Sequence, residues 1–277
     1  PCGSRGRETA VKAVILARGL GTRMRRAEPG TTLEGAQASA AEAGIKALMP
    51  FERPFLDYAL SGLADAGCDE ACLVIGPEHQ AVRERYQTLA PPRRIRVRYA
   101  VQQRPLGTAD ALLAARPLIE SGDFLVLNGD NLYPTSALRA LLALDGPGAV
   151  LFERDALVAR SNIPPERVQA FALCGVDAEG CLAAIVEKPD SAQAEALGRD
   201  ALVSMSCWRL PRALFRFCQS VALSVRGERE LTQAIADAIR GGVRLRVIRS
   251  SDGVLDLSSR ADVAGVAERL RGLRADP

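Results

Sequence analysis

Val11-Lys12-Ala13-Val14-Ile15-Leu16-Ala17 runs directly into Arg18-Gly19-Leu20-Gly21-Thr22-Arg23-Met24. The first seven residues are rich in β-branched side chains and almost continuously apolar, the pattern of a strand buried on both faces of a parallel sheet. Glycines behind such a strand let the backbone turn sharply and approach a phosphate. Arg23 then offers a planar fork for phosphate oxygens. Two common nucleotide loops are excluded. Met24 stands where the third glycine of G-x-G-x-x-G would fall, and no G-K-[ST] follows. A plain strand-to-helix turn explains the same residues, so the loop alone does not decide function.

Outward from this strand, apolar runs alternate with helical stripes. Phe55, Leu56, Tyr58, Ala59, Leu63 and Ala66 form a helical stripe, and residues 71–75 read as a second strand. Helices at 78–88, 107–119 and 135–144 enclose strands at 95–100 and 124–127. This alternation predicts βαβ units in an α/β, Rossmann-like fold, with a mixed, mostly parallel sheet flanked by helices. In the second half, strand-like runs at 148–153, 168–176, 181–187 and 202–209 come with few helices between them, as in an inserted β-rich part. Helices at 230–241 and 261–272 accompany strands at 243–249 and 254–257. Residues 26–45 and 155–167 read as long loops, the first with a short helix over 36–43, the second broken by Pro164-Pro165. Pro1 to Arg7 has no initiator Met and no apolar signal core. Residues 1–10 are therefore expected to be a disordered tail, and residues 11–277 a single domain.

Composition removes several classes of function. A net charge of +3 over 277 residues argues for neither nucleic acid nor membrane as a partner. No apolar run reaches the ~18 residues of a membrane span. The 7 cysteines contain no C-x-x-C pair and several sit in apolar runs, as buried thiols in a reducing cytoplasm would. With His79 the only histidine, zinc sites and histidine triads lack their usual members. Catalysis has to run on carboxylates, cations and backbone amides.

The segment Leu16 to Met24 resembles the signature loop of the sugar-phosphate nucleotidyltransferases, and five further segments resemble that family in the right order. Gly44-Ile45-Lys46-Ala47-Leu48-Met49-Pro50 is similar to its lysine segment, and Gln102-Gln103-Arg104-Pro105-Leu106-Gly107-Thr108-Ala109 to its base-reading segment. Leu127-Asn128-Gly129-Asp130-Asn131 resembles its metal-binding strand end. Val186-Glu187-Lys188-Pro189 resembles its sugar-phosphate motif, and Val254-Leu255-Asp256-Leu257 its second metal segment. Six motifs in order over nearly the whole chain are far more specific than any one of them.

The resemblance implies a nucleoside triphosphate and a sugar 1-phosphate as partners, with magnesium as cofactor. Arg23, Lys46 and Lys188 are the expected catalytic cations. Ala17, Gly19, Gly21, Thr22, Gln102 and Gly107 would bind the nucleotide. Glu187, Lys188, Phe171 and Ala172 would bind the sugar phosphate, and Asp130 and Asp256 the metal. Asn162, Trp208 and Arg209 are further candidates for the acceptor pocket. The pattern departs from the family in four places. Arg18 replaces a small residue and either reaches over the nucleotide or points to solvent. Ala172 replaces a glycine beside the sugar, and Ser258-Ser259 replaces Gly-Thr after Asp256. The 24–45 loop is long, as a cover that orders over bound triphosphate would be. A cytidylyltransferase with a non-sugar phosphate or phosphonate acceptor, and a non-catalytic nucleotide-sensing domain, are the rival readings. A homo-oligomer is compatible with all three.

Overall fold

The computed structural model describes residues 12–277; the expected tail at 1–10, with Val11, lies outside them. The strands are β1 (Lys12–Leu16), β2 (Glu70–Ile75), β3 (Arg96–Val101), β4 (Asp123–Asn128), β5 (Asn131–Leu132), β6 (Gly148–Phe152), β7 (Ala172–Val176), β8 (Leu182–Val186), β9 (Leu202–Pro211), β10 (Arg246–Ser250) and β11 (Leu255–Asp256). Nine of them form one sheet in the order β10-β6-β9-β4-β1-β2-β3, with β7 on β9 and β8 on β7. β1 pairs in parallel with both β2 and β4, and β3 and β10 are parallel to their neighbours. β9 is antiparallel to β4, β6 and β7. The sheet is thus the mixed, mostly parallel sheet of the α/β fold expected, and its order reverses at β1, where ligands bind in folds of this class.

Strand alternation sorts the core into two layers. Ala13 and Ile15 of β1 face one side, with Leu56, Leu60 and Leu63 of the helix Phe55–Ala66 and Leu138 and Leu141 of Thr135–Leu142. Val14 faces the other side, with Leu112 of Thr108–Ala115, Phe215 of Leu214–Ser220 and Ile235 of Leu231–Arg240. Burial on both faces is why β1 and β2 read as unbroken apolar runs. A third apolar cluster joins Met24, Ala41 and Met49 to Leu257, Val263 and Val266, so the phosphate-loop region is packed onto the C-terminal helix Asp262–Leu270.

The second half is more helical than expected. The segment 155–167 is not a loop, because it contains the helices Arg154–Arg160 and Pro165–Val168. Pro164 and Pro165 occupy the N-cap and first position of the second helix, where a missing N–H costs nothing. The strand expected at 168–176 therefore starts only at Ala172. Ser191–Leu197 is also helical, closed by a capping box in which the Asp190 carboxylate accepts from Gln193 N and the Gln193 amide oxygen accepts from Asp190 N.

Phe124 is fully buried and stacks on Phe215 with ring centroids 5.2 Å apart, locking β4 to the helix beneath it. Phe124→Ala is expected to destabilise the protein by about 3–5 kcal/mol, read as a lower urea midpoint. A change under about 1 kcal/mol would show that this layer is not close-packed.

Candidate active site

Two cavities open at the C-terminal ends of β1 and β4. The first, of about 370 Å³, is lined by Ala17, Gly19, Thr22, Lys46, Gln102, Gly107 and Asp130 among others. Gly21 does not line it but shapes its rim. Its φ is +63°, and a Cβ there would stand 2.3 Å from the Gly44 carbonyl oxygen. Only glycine allows the two loops to close on each other. Arg23 is exposed on the short helix Thr22–Arg25 and is not part of the lining. Gly107 has φ +98°, and a Cβ there would meet Arg229 O at 2.5 Å. Ala109 N donates to Arg229 O (2.9 Å) and Leu231 N to Thr108 Oγ1 (2.9 Å), which joins the predicted base-reading segment to the chain at 229–231.

Arg18 does not point to solvent. Its side chain is 6% exposed and lies along Glu78, with Nε 3.2 Å from Oε1 and Nη2 3.3 Å from Oε2, as part of the cavity wall. The single histidine, His79, lines the same cavity and accepts from Gly76 N (3.3 Å), and burial pushes its pKa down.

The second cavity, of about 210 Å³, is lined by Phe171, Ala172, Glu187, Trp208, Asp256 and the start of the helix Leu231–Arg240. Leu16, Thr108, Asn128 and Asp130 belong to both cavities, which therefore meet at Asp130. The carboxyl of Glu187 is pushed up, by partial desolvation first and then by neighbouring Glu230. Lys188 is exposed just after it, outside the lining, with φ +46°. Ser206, which lines the cavity, has φ +57°. These are the only two non-glycine residues with positive φ among the described residues; Ser206 lines this cavity and Lys188 follows its lining residue Glu187. Such strain persists only where the surroundings impose it.

The carboxylates are brought together by a two-residue ladder. β5 pairs with β11, opposing Asn131 to Asp256, and Leu257 N donates to Asp130 O at 2.8 Å. Lys46 Nζ lies 2.7 Å from Asp130 Oδ2. Asp256 is nearly buried. Its Oδ1 accepts from Asn131 Nδ2 (2.9 Å) and Ser258 Oγ (3.2 Å), and Arg167 Nη2 lies 2.8 Å from its Oδ2. Burial and the charge of Asp130 push Asp256 up to about 6, against the pull of Arg167. Among the described residues no three His, Cys, Asp or Glu side chains converge as a metal cage. Two carboxylates in electrostatic contact, with Asp130 Oδ1 taking no hydrogen bond from the described residues, fit a hard dication that completes its shell with water or ligand oxygens.

Other candidates are placed elsewhere. Arg209 pairs with Asp123 and donates to the Leu142 and Leu144 carbonyls at the opposite end of the sheet. Asn162 holds the Asp256 backbone through two bonds of 2.8 Å and does not line the second cavity. Sequence reading missed Arg167, because it lay in an expected loop. It also missed Asp110, whose carboxylate holds the Gln102 amide (2.9 Å). An acidic residue in the first turn of a helix was the available signal there, but it is a common one.

A model of the family described as nucleotidyl transferase matches residues 12–253. The UTP--glucose-1-phosphate uridylyltransferase AglF of Haloferax volcanii is 26% identical over 94% of this chain and 97% of its own length. The low-salt glycan biosynthesis nucleotidyltransferase Agl11 of the same organism is 29% identical over 84% of this chain. The bifunctional protein GlmU of Maricaulis maris is 32% identical over 91%. This chain spans 58% of Agl11 and 50% of that GlmU. A crystal structure of a UDP-glucose pyrophosphorylase complexed with UDP-glucose superposes with a TM-score of 0.73 over 96% of this chain and 100% of that one, at 18% identity, which establishes the shared fold.

Arg167 also pairs with Asp262 (Nη1 to Oδ1, 2.8 Å), so one guanidinium serves two nearly buried carboxylates. Arg167→Met keeps the apolar stem and removes the charge. It is expected to cost roughly 3–5 kcal/mol, because both carboxylates lose their partner. An unchanged urea midpoint would show that water neutralises them equally well.

Proposed function

The chain belongs to the nucleotidyl transferase family, and from that premise we propose that it joins a nucleoside triphosphate to a sugar 1-phosphate, giving a nucleoside diphosphate sugar and pyrophosphate. One observation supports this reading most: two adjoining cavities meet at a carboxylate that holds a lysine. A reaction between two anions needs two such compartments, with the reacting phosphorus at their junction. The nucleotide would lie over Ala17, Gly19 and Thr22, with its base toward Gln102 and Gly107. The sugar would lie between Phe171, Ala172 and Glu187, with Lys188 on its phosphate.

The chemistry follows from placement. An oxygen of the sugar phosphate attacks the α-phosphorus, the bond from that phosphorus to the bridging oxygen of the β-phosphate breaks, and pyrophosphate leaves in line. Positioning and charge neutralisation supply the rate, and no covalent enzyme intermediate is required. Arg23 and Lys46 would balance the triphosphate and the departing pyrophosphate, and Lys188 the attacking phosphate. Asp130 and Asp256 would hold magnesium, which when bound withdraws charge from the α-phosphate and leaving group. Residues 24–45 would act as a cover, anchored at Met24 and Ala41 in the third apolar cluster. The buried cysteines suit a reducing cytoplasm, and no helix among the described residues is long and apolar enough to cross a membrane.

Crossing the common triphosphates with a panel of sugar 1-phosphates in a pyrophosphate-release assay should give one active combination. Activity should vanish in chelator and return with magnesium. Triphosphate binding without release for any sugar 1-phosphate would favour another acceptor or a sensing role. Arg23→Ala should lower the rate by orders of magnitude, since charge-assisted contacts to a phosphoryl transition state contribute several kcal/mol. A near-normal kcat and KM would make the loop purely structural.

Lys46 and Lys188 separate the two compartments. Lys188→Ala should weaken sugar 1-phosphate binding far more than triphosphate binding, and Lys46→Ala the reverse. Calorimetric titration with each ligand reads the difference. Equal losses in both variants would mean general electrostatic attraction, since each removes one positive charge.

A further inference from the structure

Gln102 directly follows β3, with its side chain almost fully buried in the wall of the first cavity. Its Nε2 donates to Gly107 O (3.1 Å) and to Asp110 Oδ2 (2.9 Å). A carbonyl and a carboxylate can only accept, so both amide protons are used and the amide cannot be turned over. Oε1 takes no hydrogen bond from the described residues, and it is not among their buried polar atoms left without a partner, so it is open to the cavity. Asp110 does not line the cavity. It acts on a ligand only through Gln102.

We propose that Asp110 is a positioning residue that fixes the polarity of the Gln102 amide, so that the nucleotide pocket accepts bases with a ring N–H on their pairing edge and rejects those with a ring lone pair there. This rests on the nucleotide reading of the first cavity and adds a substrate class to it. Uracil and thymine carry N3–H, and guanine carries N1–H. Cytosine N3 and adenine N1 are acceptors and would face Oε1 acceptor to acceptor. The exocyclic amino group of cytosine or adenine reaches Oε1 only if the base slides along its edge, away from the ribose position set by the phosphate loop. A site that reads one polar group leaves it unpaired with the wrong partner, and such sites discriminate strongly.

Gly107 alone does not hold the amide as firmly. Its carbonyl engages one proton, and its position depends on the contact with Arg229. Asp110 engages the second proton from the first turn of the helix Thr108–Ala115, where a carboxylate is also favoured by the helix dipole.

The pair UTP and CTP tests this at matched size. Neither reacts without a sugar 1-phosphate, so calorimetry with magnesium present reads binding alone. The wild-type protein should bind UTP about 100-fold or more tightly than CTP. Asp110→Ala should reduce that ratio at least about tenfold. Asp110→Asn, which retains an oxygen to accept from Nε2, should keep more of the ratio than Asp110→Ala. A merely structural role would weaken both ligands equally and leave the ratio unchanged, and that result overturns the inference. Binding of both triphosphates by the wild type without discrimination overturns it too, while the proposed function stands. No binding of any triphosphate removes the proposed function and this inference together.

Discussion

The architecture of the cleft turns on the repulsion between Asp130 and Asp256. Two carboxylates near each other, one of them nearly buried, are unfavourable unless opposite charge is supplied. The protein supplies it from both sides. Lys46 reaches Asp130 from the short turn Lys46–Leu48, and Arg167 reaches Asp256 from the helix Pro165–Val168. Neither cation sits on the strand end it neutralises, so the loops that carry them are drawn over the sheet edge. The ladder between β5 and β11 then holds the acidic pair in register, and the Asn162 side chain clamps the Asp256 backbone.

The same charge logic connects the two cavities. Asp130 is shared between them, and its nearest cation points in from the nucleotide side. Lys188 follows Glu187 of the second cavity, whose carboxyl is pushed up by partial desolvation and by Glu230. Positive charge is thus distributed on both sides of the junction rather than concentrated in one patch. An overall charge of +3 hides this arrangement, because local order and not total charge sets the field inside a cleft.

What could be read from sequence divides along physical lines. β1, β2 and β4 were legible because burial on both faces leaves an unbroken apolar run, and the turn at Gly21 because only glycine tolerates the approach to Gly44. Residues such as Ala17, Gln102, Asp130 and Glu187 were found through motif order, and their convergence on two cavities required the fold. Arg167 was hidden because a proline pair suggests a break, although prolines at the start of a helix do not interrupt it. Asp110 was hidden because its role lies in a partner's orientation, which spacing does not encode. Arg209 was misplaced because a strand's two ends look alike in sequence, and it lies at the end away from the cleft.

The second cavity exists because β9 changes partners. Residues from Trp208 onward pair with β4, whereas Leu202 to Ser204 pair with β7, and β6 runs along the other side throughout. The register against β6 shifts between Val150 and Leu151, where Met205 and Ser206 bulge out, and Ser206 there has φ +57°. A bulge redirects a strand and re-aims its side chains. Here it opens a gap between the end of β4 and the start of β7, into which Ser204, Met205 and Ser206 face together with Asn128 and Ala172. Tyr133 stabilises the irregular backbone by donating to Met205 O at 2.6 Å while its hydroxyl accepts from Asn128 N. A regular β9 would keep β4 and β7 in contact with it but leave no opening between them. The strain at Ser206 is therefore the local cost of a second compartment beside Asp130, and a one-compartment nucleotide binder would have no use for it.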